Sequence, residues 1–221
     1  MIRLPSPNFN SRKEPLEMLV FHYTGMETAR AALDRLRDPE AKVSAHYVVD
    51  EDGEVYSLVD ENKRAWHAGV SFWKGKTDIN SRSIGIEIVN PGHELGYPPF
   101  PDDQILSVIR LSEEIIKRHA ILPENIVGHS DIAPKRKRDP GELFPWKRLA
   151  GNGIGLWTDD LCAPEKNIKE MLETIGYDTT DEQAALNAFR RRFRPEAILN
   201  KAPDTLQRLA AVSKMYRSRS A

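Results

Sequence analysis

The sequence predicts an α/β fold, a layered structure with a largely buried sheet, followed by a small all-α bundle. Short apolar and β-branched runs alternate with segments of helical periodicity through about residue 149. Residues 151–155 (GNGIG) are then typical of a loop or linker. Beyond them only helical periodicity continues. We therefore expect two domains, residues 1–155 and 156–221.

Apolar runs predict the strands of the first domain. They cover residues 17–22, 46–49, 54–59, 83–89 and 125–127. The second and third runs are joined by Asp50-Glu51-Asp52-Gly53, which is typical of a hairpin turn. The run 83–89 is followed by Asn90-Pro91-Gly92, a sequence that interrupts a strand.

Two helices are expected between these strands. Residues 27–36 are rich in alanine and carry apolar residues at helical spacing, and Asp38-Pro39 ends this helix. Asp102 is a good N-cap for a long amphipathic helix that extends past residue 116. Residues 69–82 are expected to form a loop.

The second domain is predicted to contain three short helices. The first has apolar residues at i, i+3, i+4 and i+7 from Ile168, and Gly176 follows it as a C′ residue. Thr180 opens a capping-box sequence before the second helix, and Pro203-Asp204 starts the third. A bundle of this size is near the lower limit for independent folding.

Composition excludes several classes of protein. A formal net charge of −1 gives no electrostatic reason to expect nucleic acid or an acidic membrane as a partner, and no apolar run is long enough to span a bilayer. Cys162 is the single cysteine, so an internal disulfide is excluded. Residues 1–7 lack the apolar region of a secretory signal. We therefore expect a cytoplasmic protein, with a periplasmic or outer-membrane location as the alternative if a leader was removed.

Three side chains are candidates for one metal site. His22 ends the strand at 17–22, His129 follows the strand at 125–127, and Asp139 lies ten residues further on. Active sites of open α/β sheets gather beyond the carboxyl ends of the strands. Two imidazoles and one carboxylate form a three-ligand zinc site with a fourth position left for water. Spacing alone does not select these three from six histidines and many carboxylates, and each histidine could equally be structural.

Glu87 and Lys137 are candidates for the catalytic groups. Glu87 interrupts the apolar strand SIGIEIV, where an unpaired buried carboxylate would be costly, so we expect it to pair or to act as a general base or acid. The alternative is exposure on an edge strand. Lys137 lies two residues before Asp139, so an extended backbone would place both side chains on one side. It could stabilise an oxyanion, or belong to a solvated basic loop.

The stretches FHYTG, AHYVVDEDGEVYSLV, AWHAG, SIGIEIVN and GHSDIAPKRKRDPG resemble the N-acetylmuramoyl-L-alanine amidase type 2 family, in order and spacing, over roughly residues 16–149. The resemblance implies a mixed central sheet flanked by helices. It also implies that His22, His129 and Asp139 bind one zinc ion. Glu87 would polarise the water, and Lys137 would stabilise the oxyanion. The expected reaction is hydrolysis of the amide between N-acetylmuramic acid, in its 1,6-anhydro form, and L-alanine.

Further residues are candidates for substrate binding. Trp66 and His67 belong to the stretch that resembles the WHAG segment near the family's substrate groove, and His46 is a second candidate for the pocket wall. Both histidines could equally be structural. Arg82 and Asn90 flank the Glu87 strand and could contact a substrate carboxylate or lactyl group, although a surface role is equally expected.

Residues 165–213 resemble the three-helix peptidoglycan-binding domain. The resemblance implies binding to cell-wall glycan, but Arg190 stands where that family often has glutamine. The alternative is a bundle that only packs on the catalytic domain. Two further alternatives concern the whole chain: a non-catalytic peptidoglycan-recognition protein, and a lytic amidase that acts on polymeric wall. The oligomeric state is not predicted.

Overall fold

The computed structural model describes residues 1–199 and 203–219. Within these ranges the strands are β1 (Ile2–Arg3), β2 (Phe9–Ser11), β3 (Met18–Tyr23), β4 (Tyr47–Val49), β5 (Val55–Ser57), β6 (Lys63–Ala65), β7 (Ser83–Ile88) and β8 (Ile126–Gly128). The α-helices are α1 (Ala29–Arg37), α2 (Ile79–Arg82), α3 (Asp102–His119), α4 (His129–Ile132), α5 (Trp146–Ala150), α6 (Ile168–Ile175), α7 (Glu182–Phe193), α8 (Glu196–Leu199) and α9 (Thr205–Arg217).

A six-stranded mixed sheet forms the centre of the molecule, with the order β1-β5-β4-β7-β3-β8. The pairs β4/β7, β7/β3 and β3/β8 are parallel, whereas β4 and β5 form the antiparallel hairpin expected from the turn at residues 50–53. The short strands β2 and β6 pair separately. The mixed sheet flanked by helices, which the family resemblance implied, is confirmed.

The parallel strands β7, β3 and β8 bring the candidate site residues to one edge of the sheet. His22 near the end of β3 lies in register with Glu87 on β7, so their side chains project from the same face. β8 leads directly into α4, whose first residue is His129. The carboxyl ends of three neighbouring strands therefore converge on one place, as expected for an open α/β sheet.

Three local predictions need correction. Asp102 is the first residue of α3 and not its N-cap. Pro101 occupies the cap position without a side-chain bond, and Asp102 instead pairs with Arg148 at 2.6 Å. The cap of α7 is Asp181 and not Thr180, because its carboxylate accepts the N–H of Ala184. The expected loop at residues 69–82 ends in the short helix α2.

The C-terminal helices pack against the sheet domain over a shared apolar core. Val127 and Ile132, beside the predicted metal site, belong to the same buried cluster as Leu172 and Phe189 of the bundle. The predicted boundary at residues 155–156 stays a prediction, and residues 200–202 and 220–221 of the second domain lie outside the described ranges. Among the described helices, none has the length and apolar character required to cross a bilayer.

Candidate metal centre and active site

His22, His129 and Asp139 direct one atom each at a common point. The Nδ1 atoms of the two histidines are 2.9 Å apart, and Oδ2 of Asp139 lies 3.1 and 3.0 Å from them. All three residues are buried. The N–H of Ser130 donates to the carbonyl of Asp139 at 2.8 Å, which ties together the two segments that carry His129 and Asp139.

The outer ring nitrogens show which atoms carry protons. Nε2 of His129 lies 3.1 Å from the carbonyl oxygen of Ala68. A carbonyl oxygen only accepts, so this nitrogen must be the N–H, and the Nδ1 of the neutral ring presents its lone pair to the site.

A longer chain of hydrogen bonds indicates the same tautomer for His22. The hydroxyl of Ser83 donates to the Ile79 carbonyl at 2.6 Å, so it accepts the Nε2–H of His67 at 3.3 Å. Nδ1 of His67 is then an acceptor, and it receives the Nε2–H of His22 at 3.0 Å. The Nδ1 of His22 therefore also presents a lone pair to the site.

The electrostatics favour the same protonation state for His22. Burial and the neighbouring His129 together lower the pKa of His22 to about 4, and Asp139 only partly opposes them. The buried His22 ring is therefore neutral, in agreement with the tautomer that its hydrogen bonds indicate.

This arrangement fits a divalent cation. Two nitrogen lone pairs and a carboxylate oxygen at 2.9–3.1 Å repel one another unless a positive charge lies between them. Zinc bonds of about 2.0–2.1 Å in a tetrahedron would place the ligand atoms roughly 3.3 Å apart, close to the separations seen here. The same three residues form the candidate metal cluster found among residues 1–199 and 203–219.

Glu87 borders the same site. It lines the cavity, and its Oε2 is buried without a hydrogen-bond partner among the described residues. Burial raises the pKa of Glu87 well above its usual range, the Asp139 carboxylate adds to the rise, and Lys137 opposes it. An unpaired buried oxygen beside a metal site is available to a water or a substrate proton.

A cavity of about 400 Å³ opens onto these groups, a volume typical of small-ligand sites. Its lining includes Trp66, His67, Glu87 and Lys137 together with the candidate metal ligands His129 and Asp139. Lys137 and Glu87 therefore border the same space. His67 also holds His22 through the hydrogen bond described above, so its position serves the metal site as well as the cavity wall.

The remaining predicted substrate-binding residues lie outside the cavity lining. His46 is fully buried, accepts the N–H of Gly85 on one ring nitrogen and donates the other to the Lys63 carbonyl. Arg82 pairs with Glu14 and Glu17. These contacts favour the structural alternative for His46 and a role outside substrate binding for Arg82.

Asn90 is likewise buried. Its amide group donates to the Pro98 carbonyl, and its side-chain oxygen accepts the N–H of Gly92. The side chain therefore stabilises the turn that follows β7. This geometry favours a structural role for Asn90 in place of contact with a substrate lactyl group.

Several positioning residues were not predicted from the sequence. The side-chain oxygen of Asn80 accepts the backbone N–H groups of His67 and Ala68 at 3.0 and 2.7 Å. Arg136 donates to the carbonyls of Ala68 and Val70 from the other side. Both side chains bond to loop backbone, and only the folded chain brings these segments together, so the sequence pattern carries no signal for them.

A second unpredicted network lies beside the candidate metal ligands. The ring of His93 joins the Tyr23 hydroxyl at 2.9 Å and the Glu142 carboxylate at 3.0 Å, and Tyr97 stacks on the same ring. Tyr23 follows His22, and Glu142 follows Asp139 by three residues. The network therefore connects the end of β3, which carries His22, to the loop that carries Asp139.

Comparison with known proteins identifies the family. The family model described as N-acetylmuramoyl-L-alanine amidase matches residues 12–142. The chain is 37% identical to the N-acetylmuramoyl-L-alanine amidase AmiD of Escherichia coli (strain K12), over 88% of this chain and 81% of AmiD. It is 35% identical to the 1,6-anhydro-N-acetylmuramyl-L-alanine amidase AmpD of Haemophilus influenzae, over 66% of this chain and 88% of AmpD.

Solved structures of similar amidases match nearly the whole chain. E. coli AmiD in complex with anhydro-N-acetylmuramic acid-L-Ala-D-gamma-Glu-L-Lys has a TM-score of 0.79 at 35% identity, covering 94% of this chain and 93% of AmiD. AmpDH3 from Pseudomonas aeruginosa, in complex with anhydromuramic pentapeptide, has a TM-score of 0.77 at 31% identity, covering 96% of each chain. The chain belongs to the N-acetylmuramoyl-L-alanine amidase family of enzymes.

Proposed function

We propose that this chain is a zinc-dependent amidase that cleaves the bond between N-acetylmuramic acid and L-alanine in 1,6-anhydro-muropeptides. One observation carries the metal assignment: two imidazole lone pairs and a carboxylate oxygen meet within 3.1 Å, and outward hydrogen bonds fix both tautomers. The similar AmiD and AmpDH3 chains were solved with anhydromuramic peptides, which supports the substrate class.

The proposed ligands of one zinc ion are His22, His129 and Asp139. When bound, the metal supplies Lewis acidity, which lowers the pKa of a water molecule and polarises a carbonyl group. The bond from His67 orients the His22 ring, and the Ala68 carbonyl orients the His129 ring. These outer contacts keep both lone pairs directed at the metal position before it is filled.

Glu87 and Lys137 are proposed to carry the proton transfer and the oxyanion. The buried Oε2 of Glu87 has a free acceptor position, and burial makes the ionised group a stronger base than an ordinary carboxylate. It would take the proton of the attacking water and return it to the leaving L-alanine nitrogen. The ammonium of Lys137, across the same cavity, would donate to the oxygen that gains negative charge.

Trp66 is proposed to bind the substrate beside this centre. Its ring is half-buried, lines the cavity and is held by a bond from the indole N–H to Asn10 at 3.3 Å. An indole face can pack against a sugar ring or a peptide stem.

The cytoplasmic location expected from the sequence stays a prediction, and fractionation of cells that express the native gene would test it.

The test compares wild type with Glu87→Gln and Lys137→Met on a soluble anhydro-muramyl peptide. Loss of the proton-transfer group Glu87 or of the oxyanion donor Lys137 is expected to lower kcat by roughly 10²- to 10⁴-fold while the zinc content stays near one per chain. Lys135→Met is the control, because Lys135 is exposed in the same loop but does not line the cavity. Near-normal turnover in both active-site variants would overturn the mechanism, and bound zinc without turnover in wild type would favour a recognition protein.

A parallel assay on polymeric cell wall separates the two candidate substrates. Faster cleavage of soluble fragments is the result expected for the proposed function. A clear preference for polymer would favour the lytic alternative.

A further inference from the structure

Arg192 of α7 is a charged residue in the interior of the molecule. Its side chain is 1% exposed, as is that of its partner Asp131, and the two pair at 2.8 Å. A second guanidinium nitrogen donates to the Ile126 carbonyl at 2.9 Å. The guanidinium also lies over the Trp146 ring, 4.1 Å from its centroid.

These contacts bracket the candidate metal ligand His129. Ile126 lies three residues before it, at the start of β8, and Asp131 lies two residues after it on α4. Arg192 therefore holds the chain on both sides of the ligand. A second side chain of the C-terminal region contacts this segment. The Tyr177 hydroxyl donates to the other oxygen of Asp131 at 2.7 Å.

Asp131 in turn holds the turn that presents His129. Its Oδ2 accepts the N–H of Gly128 at 2.8 Å as well as the guanidinium of Arg192. A carboxylate buried to this extent is tolerated only when its oxygens are bonded and its charge is compensated. Removal of Arg192 would leave that charge unpaired directly beside the metal site.

Packing alone does not account for this charge. The apolar core that the bundle shares with the sheet domain already joins the two, and apolar side chains of similar volume would fill the position at lower electrostatic cost. Arg192 continues the buried stripe of Ala185, Ala188 and Phe189 on α7. We therefore expect the charge of Arg192 to orient the segment of the sheet domain that it contacts.

We propose that Arg192, together with Tyr177, is a positioning residue for the metal ligand His129. The C-terminal bundle then forms part of the support of the metal site, in addition to any binding of cell-wall glycan. This inference rests on the proposed function, since it requires that His129 bind zinc.

The test measures zinc affinity of the full-length apoprotein by competition with a chromophoric chelator. Arg192→Met is expected to weaken zinc binding by roughly 10- to 100-fold, the effect typical of residues that support metal ligands. Arg192→Lys, which keeps the charge but lacks the planar fork, is a milder variant if Arg192→Met does not fold. Tyr177→Phe is expected to have a smaller effect in the same direction.

Arg194→Met provides the matched control. Arg194 follows Arg192 on the same segment, but its ion pairs with Glu196 and Asp204 lie within the C-terminal region. Amide hydrogen exchange of the apoprotein gives a second readout that is independent of metal. Faster exchange at Gly128 and Ser130 is expected for Arg192→Met and not for Arg194→Met.

Each outcome distinguishes the inference from the proposed function. If wild type binds zinc and the folded Arg192 variants bind it equally well, the inference is overturned while the proposed function stands. Equal weakening by Arg194→Met would show general destabilisation and would also overturn it. Failure of wild type to bind zinc would overturn the proposed function first.

Discussion

The substitution Gly85→Ala should damage the proposed metal site, although residue 85 contributes no candidate ligand to it. A Cβ atom built on Gly85 would lie 2.5–2.6 Å from three atoms of the His67 ring. Carbon atoms pack at about 3.5–4.0 Å, so the ring would have to retreat by about 1 Å. His67 cannot retreat freely, because its Nδ1 holds His22 at 3.0 Å and its Nε2 bonds to Ser83 at 3.3 Å.

Two effects follow from this displacement. Overpacking of the core should lower the free energy of unfolding of the apoprotein by about 1–3 kcal/mol, measured by urea titration. A 1 Å shift would also break the bond that orients His22. Zinc affinity, measured by chelator competition, should therefore fall by roughly 10- to 100-fold.

Gly151→Ala is the control for this prediction. A Cβ atom at Gly151 would meet its nearest neighbour, the Arg148 carbonyl oxygen, at an ordinary 3.4 Å. Both stability and zinc affinity should stay near wild type. The reasoning would be refuted if Gly85→Ala also left both quantities unchanged, since the His67 ring would then have no part in holding His22.

Two other predictions concern stability at low pH and substrate binding. Burial opposes ionisation of Glu61, but hydrogen bonds from Arg118 and His119 outweigh it and lower the pKa of Glu61 from 4.5 to about 2. The stability that Glu61 contributes is therefore full above about pH 5 and is lost as the pH falls toward 2. After allowance for solvent screening, Glu61→Gln should cost about 1–2 kcal/mol at pH 7 by urea titration, and a cost that does not shrink toward pH 2 would contradict this assignment. Trp66→Ala should raise KM roughly 2- to 10-fold with little change in kcat, and an unchanged KM would exclude the indole from substrate binding.

The elements with strong periodicity were predictable from the sequence. The run that became β3 is buried along almost its whole length, and the helix predicted at residues 27–36 is α1, from Ala29 to Arg37. The short edge elements were not predicted. β1 and β6 span two and three residues each, and their pairing depends on partners distant in the chain. No local pattern of two or three residues distinguishes such a strand from a loop.

The candidate metal ligands were located only in part by physical reasoning. The strand ends made His22 and His129 candidates. The family pattern then selected these two from six histidines and Asp139 from many carboxylates. Glu87 was the exception, because a carboxylate inside an apolar strand is unusual without any family information. The structure places it in the cavity, with a buried oxygen that has no hydrogen-bond partner in residues 1–199 and 203–219.

The supporting residues could not be predicted in the same way. Asn80 acts through backbone groups of a segment that is distant in sequence, and polar residues before a strand are common. Arg192 did carry a signal, since it falls on the apolar stripe of α7. That signal indicates a buried partner but not its identity, which depends on how the bundle packs against the sheet.

The most direct test of the zinc assignment is the rate of L-alanyl peptide release from an anhydro-muramyl substrate, before and after metal removal. Protein treated with a chelator and then freed of it should be inactive, and one equivalent of zinc per chain should restore the rate. His129→Ala should fail to recover under the same conditions, because it removes one of the three atoms that meet within 3.1 Å. A full rate of hydrolysis by the metal-free protein would contradict the account.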